Sequence, residues 1–205
     1  MITCVASSTD RSLVDLGCLT EGERDELTKL GLLSADGRVR EYEYPESVRD
    51  RGPAIQKRAI HAPEVLNEAF HYAKPSSFSR GLRLDFGDLT VLVISGTASV
   101  DENGKTIHKG NFGAQCWRTY RNISGLLESE GATWHDVVRT VCYLRDIERD
   151  YEQFNRIRTA FFRWLHLDPL PASVGIQARL CREDLLVEIE AVALFRRETS
   201  ERFLP

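Results

Sequence analysis

The stretch NFGAQCWRTYRNISGLLESEGATWHDVVRTVCYL, residues 111–144, decides the fold. Asn111 is a residue type that caps helix starts, and Gly131 one that closes helix ends, so a long helix is expected between them. Along it Cys116, Tyr120, Ile123 and Leu127 recur at helical spacing and mark one apolar stripe. VVRTVCYL follows, and its β-branched and aromatic residues read as a strand.

Upstream of this pair, Leu82, Leu84 and Phe86 alternate with polar neighbours. Gly87-Asp88 then turns the chain into TVLVIS, giving a hairpin with a half-buried first strand and a mostly buried second one. DENGK is a polar turn carrying Asn103-Gly104. Downstream, a second helix is expected from about Asp150 to Trp164, with Phe154, Ile157, Phe161 and Leu165 on its inner face. Asp168-Pro169-Leu170-Pro171 breaks it. Two closing strands, about 172–180 and 185–195, flank the turn Cys181-Arg182-Glu183-Asp184. The order is β-β-α-β-α-β-β, which specifies an α+β fold: one mixed sheet with both helices on one face. Leu186, Ile189, Val192 and Leu194 make the last strand apolar on more than one side. Burial against other copies of the chain is therefore expected.

The first 74 residues have a different character and are read as an N-terminal extension of short helices and loops. Thr20 caps a short helix bearing Leu27, Leu30 and Leu33, and a second helical stretch is expected over 62–72. The extension could pack on the core or cover a cleft. The main domain then spans 75–196, and 197–205 is a tail.

Composition narrows the function classes. The net charge of −4 argues against nucleic acid, which needs a concentrated basic surface. No apolar run is long enough to span a bilayer. The opening residues lack a basic start followed by an apolar core, so no secretory signal is read and a cytoplasmic location is expected. The five cysteines, Cys4, Cys18, Cys116, Cys142 and Cys181, form no CxxC pair and read as reduced thiols. Histidines and cysteines show no metal-ligand spacing, so neither a metal nor another cofactor is expected.

The ordered set SSFSRG, VISGTASVD, GNFGAQ, YRNISGLLESEGATWHDVVRTVCYL, FNRIRTAFF, LPAS and VEIEAVAL resembles the Rid (YjgF/UK114) superfamily, whose fold is the chorismate mutase-like one. The resemblance covers roughly residues 75–195. It implies a homotrimer with clefts at the subunit interfaces, each lined by both neighbours and open to a small metabolite. The deaminase branch of that superfamily hydrolyses amino-acid-derived imines and holds the substrate carboxylate with an arginine directly after Pro-Ala. Here Ser173 stands at that position and cannot offer the same charged fork. FSRG, SGTASVD, His108, Gly110, Gln115 and CREDLLVEIE are similar to the chorismatases, which hydrolyse chorismate and release pyruvate. In those enzymes a cysteine or small residue stands seven positions before a catalytic glutamate, as Cys181 does before Glu188.

Strand alternation puts Glu188 and Glu190 on one face of an apolar strand, where carboxylates are costly to bury alone. A carboxyl in a partly dry cleft has a raised pKa and can donate or accept a proton near neutral pH. Glu188 is the expected catalytic residue. An anionic substrate needs a cation, for which Arg179, Arg80 and Arg145 are candidates, Arg179 being the expected replacement for the missing arginine. Phe78 stands where the deaminase branch has its cleft tyrosine, and Asn155 aligns with one of its ligand-contacting asparagines. Gly96, with Ser95 and Thr97, would let backbone amides approach a ligand oxyanion. Cys181 has no histidine near it in sequence, so a shape-defining role is expected of it. The reading is an enzyme that hydrolyses a small carboxylate-bearing metabolite, a chorismate-like enol ether or an imine. The alternative is a non-catalytic relative that binds a metabolite or a partner protein.

Overall fold

The computed structural model describes residues 19–40, 55–72 and 75–197. Cys4, Cys18 and nearly all of the C-terminal tail lie outside the described residues. The chain divides into two units, Met1–Ala54 and Ile55–Pro205. In the first, helix α1 (Glu21–Lys29) begins at Thr20 with a full capping box: the Thr20 side chain accepts from the Glu23 amide while Glu23 accepts from the Thr20 amide at 2.7 Å. Of the three stripe leucines only Leu33 is buried, and Leu30 is left 77 % exposed.

The second unit is built as the hydrophobic pattern dictates. β2 (Gly81–Phe86) and β3 (Leu89–Ala98) form the hairpin, and α2 (Phe112–Glu128) follows, capped by the Asn111 side chain on the Ala114 amide. Gly131 closes α2 with a left-handed φ of 73°, its amide bonding back to the Glu128 carbonyl and that of Ala132 to Leu127. β4 (Val137–Leu144), α3 (Ile147–Trp164), β5 (Ala172–Gln177) and β6 (Val187–Arg196) complete the chain. With an outer strand β1 (Gln56–Ala59) ahead of β2, the strands form one six-stranded sheet in the order β1-β2-β3-β6-β4-β5, with β4 and β5 parallel and every other pair antiparallel. The α+β fold with its mixed sheet is therefore as the sequence predicts.

Three local features depart from the sequence reading. An outer strand, β1 (Gln56–Ala59), comes from the stretch assigned to the extension and pairs with β2. Residues 62–72 do not form a helix. They make a turn closed by an Ala62–Leu66 bridge and then a single 3₁₀ turn, Ala69–His71. Between them Asn67 Oδ1 accepts the Glu68 amide at 2.9 Å, a local bond that competes with helix continuation. Helix α3 starts earlier than Asp150, because Asp146 caps it by accepting from the Arg149 amide at 3.0 Å.

Both long helices cover one face of the sheet. Cys116, Tyr120, Ile123 and Leu127 of α2 and Phe154, Ile157 and Phe161 of α3 pack on Leu92, Ile94, Ile189, Ala191 and Ala193. Each Leu, Ile or Phe among them contributes about 1.5–3 kcal/mol by leaving water. At the rim of this layer buried Glu130 takes Arg58 of β1 at 2.5 Å and Arg83 of β2 at 3.1 Å, and Arg83 also pairs with Asp85 at 3.0 Å. The opposite face carries Val93, Val192, Leu194, Val174 and Ile176, and Val93 and Leu194 are 40 % and 41 % exposed. Glu188 and Glu190 project from β6 on this second face.

Candidate active site

Pairing of β6 with its neighbours sets the position of Glu188. The residue lies opposite Ala98 of β3 and Tyr143 of β4. Between Ile94 and Thr97 the β3–β6 register slips by one residue, so Ser95 and Gly96 form a bulge beside the carboxylate. A Cβ on Gly96 would lie 1.9 Å from Glu188 Oε1. The carboxylate therefore occupies the space that any other side chain at position 96 would fill. Burial pushes the Glu188 pKa upward, and the nearby negative charge of Glu190 adds to it; Arg80 and Arg182 pull it back. Glu190 itself accepts a hydrogen bond from the Tyr143 hydroxyl at 3.2 Å.

Glu188, Glu190, Ser95 and Gly96 line a cleft of about 970 Å³ floored by β3, β4 and β6. Its cation on one side is Arg80, only 6 % exposed. The guanidinium lies 4.8 Å from the Tyr72 ring centre and 5.2 Å from that of Phe78, and Nε donates to the Asn67 carbonyl at 3.0 Å. Two aromatic faces and a carbonyl hold an arginine in one orientation, with little rotamer freedom left to lose on binding an anion. Tyr72 in turn packs over Gly104, whose φ of 78° needs glycine and whose missing side chain leaves room for the ring.

The other wall is the 180–186 loop. Arg182 donates to the Gly104 carbonyl and lines the cleft, as do Cys181 and Leu185. The loop is held from beneath. Arg145 donates to the Leu185 carbonyl at 2.5 Å and to the Arg182 carbonyl. Gln115 donates to the Asp184 carbonyl at 2.9 Å and accepts from the Leu186 amide at 2.8 Å. Lys109 pairs with Asp184 at 2.8 Å and depresses its carboxyl pKa.

The structure gathers Glu188, Arg80, Phe78, Gly96 and Cys181 in one cleft. Thr97 is 1 % exposed and turns its hydroxyl to the Ser95 carbonyl at 2.9 Å, which shapes the bulge rather than facing the cleft. Arg145 is committed to the loop backbone. Arg179 is exposed on the connection after β5 and does not line the cleft of its own chain. Ser173 and Asn155 also lie outside it, together, at the β5 end of the sheet, where each bonds Arg158. Sequence reasoning missed Tyr72, Arg182 and Arg139 as cleft residues. Arg182 stood in the quoted CREDLLVEIE motif, directly after Cys181, and that adjacency was the available signal. Arg139 faces the cleft because the β4–β6 register also slips, between Val137 and Arg139.

A hairpin, two helices packed on one face of a mixed sheet, and a glutamate-bearing cleft on its open face define the class: an α+β domain with one cleft-bearing sheet face. Residues 72–195, more than half of the chain, match the family described as Endoribonuclease L-PSP, and the protein belongs to this Rid/YjgF family. The chain is 30 % identical over 102 residues to a RutC family protein of Pyrococcus abyssi, covering 50 % of this chain and 76 % of that one. It is 30 % identical over 103 residues to the 3-aminoacrylate deaminase RutC of Acinetobacter baylyi, covering 50 % and 78 %. Among solved structures, the YjgF gene product of E. coli superposes with a TM-score of 0.54 at 23 % identity, over 68 % of this chain and 99 % of that one. Among the described residues no helix is long and apolar enough to cross a membrane.

Proposed function

We propose that the protein hydrolyses a small carboxylate-bearing metabolite, an enamine or imine or a chorismate-like enol ether, with Glu188 as the acid in a cleft completed by a second copy of the chain. The observation that carries this reading is the Glu188 carboxyl, raised in pKa by burial and set against Gly96 between arginines. An enamine and an enol ether share their first step. Protonated Glu188 delivers its proton to the double-bond carbon remote from the heteroatom, leaving an iminium or oxocarbenium ion. Water adds to the carbon bearing the heteroatom and returns a proton to the Glu188 carboxylate. Collapse then expels ammonia or the alcohol and leaves a carbonyl. For an imine the same carboxyl protonates nitrogen before water adds.

The relationship to a 3-aminoacrylate deaminase supports the nitrogen substrates. The enol-ether reading is favoured by Cys181, which stands seven residues before Glu188 and shares its cleft. Assembly into a homotrimer is supported by the apolar, half-exposed sheet face around the cleft. The test is direct. Purified protein is incubated with 3-aminoacrylate, following ammonia, and with chorismate, following pyruvate, beside Glu188→Gln. Turnover of one substrate, abolished in the variant, is expected. No turnover of either would leave metabolite binding without catalysis as the better account, and equal turnover by the variant would remove Glu188 from the reaction.

A further inference from the structure

We propose that the cleft takes a doubly negative substrate, a small dicarboxylate with one acid group held by Arg80 and Arg182 and the other by Arg139. The inference rests on the reading that this cleft is the substrate site, and it concerns the acid groups rather than the bond that reacts. Three guanidiniums line the cleft, those of Arg80, Arg139 and Arg182, against two carboxyls, Glu188 and Glu190. Acid catalysis requires a proton on Glu188, which leaves Glu190 as the one carboxylate and a surplus of two positive charges. Among the described residues none of the three arginines has a carboxylate within ion-pair distance. Elsewhere the fold neutralises an inward-facing guanidinium: Arg83 pairs with Asp85 at 3.0 Å and with Glu130 at 3.1 Å. Arg80, 6 % exposed, has two rings and the Asn67 carbonyl in place of such a partner. A buried charge without its counterion is costly, and an anionic ligand would offset that cost.

Two of the cations share one end of the cleft. Arg182 and Tyr72 meet at Gly104: the guanidinium donates to the Gly104 carbonyl and, at 3.4 Å, to the Thr106 hydroxyl, while the Tyr72 ring fills the space of a side chain there. Arg80 lies over the same ring. Burial raises the Tyr72 phenol pKa, and the charges of Arg80 and Arg182 both pull it back. Their fields reach Glu188 as well. An acid group seated between Arg80 and Arg182 would therefore hold the rest of the ligand beside the Glu188 proton. Arg139 stands farther along the floor. It lies opposite Val192 of β6, whereas Tyr143 lies opposite Glu188, a separation of four residues or roughly 13 Å along the strand. A monocarboxylate meets one of these positions and leaves the other unmet. A dicarboxylate meets both.

Saturated diacids serve as probes, because they hold no bond for the proposed chemistry to break. Succinate, glutarate and adipate are titrated calorimetrically into the wild type, and the tightest binder is compared with its monomethyl ester. The diacid should bind about tenfold tighter or more, the difference expected for one charge-assisted contact. Arg139→Gln should remove most of that preference and Arg139→Lys should keep much of it. Arg182→Gln should weaken the diacid and the ester alike. Arg156→Gln, exposed on α3 and paired with Glu152, should bind as the wild type. Equal affinity of the wild type for diacid and ester, no binding of any diacid, or a preference that survives Arg139→Gln would overturn the inference. Should turnover still depend on Glu188, such a result sinks the diacid assignment alone. A diacid preference without turnover of 3-aminoacrylate or chorismate sinks the catalytic reading alone.

Discussion

Replacing Gly96 with alanine tests the geometry on which the cleft depends. The new methyl would sit 1.9 Å from Glu188 Oε1 and 2.9 Å from its Cδ, whereas ordinary contact begins at 3.4 Å. The oxygen must therefore retreat by roughly 1.5 Å, and a misplacement on the scale of 1 Å is worth on the order of 10² in rate. That corresponds to about 2.7 kcal/mol of transition-state stabilisation. Relief of the clash by rotating the side chain out of its rotamer well costs about 0.5–1.5 kcal/mol of stability. Urea unfolding and turnover of 3-aminoacrylate or chorismate should show both effects. In a Glu188→Ala background the clashing atoms are gone, so the added methyl should leave stability unchanged. An equal loss of stability in both backgrounds, or full activity in Gly96→Ala, would refute the reasoning.

Other expectations follow from the same contacts. Because burial raises the Glu188 pKa, the native chain holds that proton to higher pH than the unfolded chain does. Stability should therefore fall as pH climbs from the ordinary carboxylate range through the raised value, and Glu188→Gln should flatten that slope in urea midpoints measured against pH. Arg80→Gln removes the cation held between Tyr72 and Phe78 and should raise KM by roughly tenfold or more, with the steady-state rate at saturation less affected. Arg145→Gln leaves the Leu185 and Arg182 carbonyls without their donor and should cost about 1–3 kcal/mol in denaturant unfolding. Val192→Asp puts a charge on the apolar sheet face, and sedimentation should show a mass near three chains reduced toward one.

Helices and strands of the main domain were legible because local signals agree there with tertiary packing. Asn111 and Gly131 bracket α2, and Phe154, Ile157 and Phe161 of α3 all bury on the sheet. β1 was missed because QKRA carries no alternating apolar pattern. What holds it is pairing with β2 and the distant Glu130. Glu188 was legible from its motif and Arg80 among its candidate cations, but the preferred Arg179 was chosen for nearness along the chain, when proximity is set across strands. Arg182 and Arg139 reach the cleft through a loop clamp and a register slip, neither of which has a local signature. The arginine beside Ser173 comes from fifteen residues earlier. Its flanking position on the α3 stripe, four after Phe154, could have pointed to it.

The two outer strands of the sheet differ in chemistry, and this bears on how copies of the chain can join. β1 is short, carries Lys57 and Arg58, and has Arg58 locked onto Glu130. An incoming strand would have to add its backbone beside fixed positive charge, a recognised deterrent to edge-to-edge growth. β5 bears Val174 and Ile176, which are 39 % and 42 % exposed, and no ionised side chain. A sheet with one guarded margin and one bare margin resists adding copies β1-to-β1 or β1-to-β5 without end.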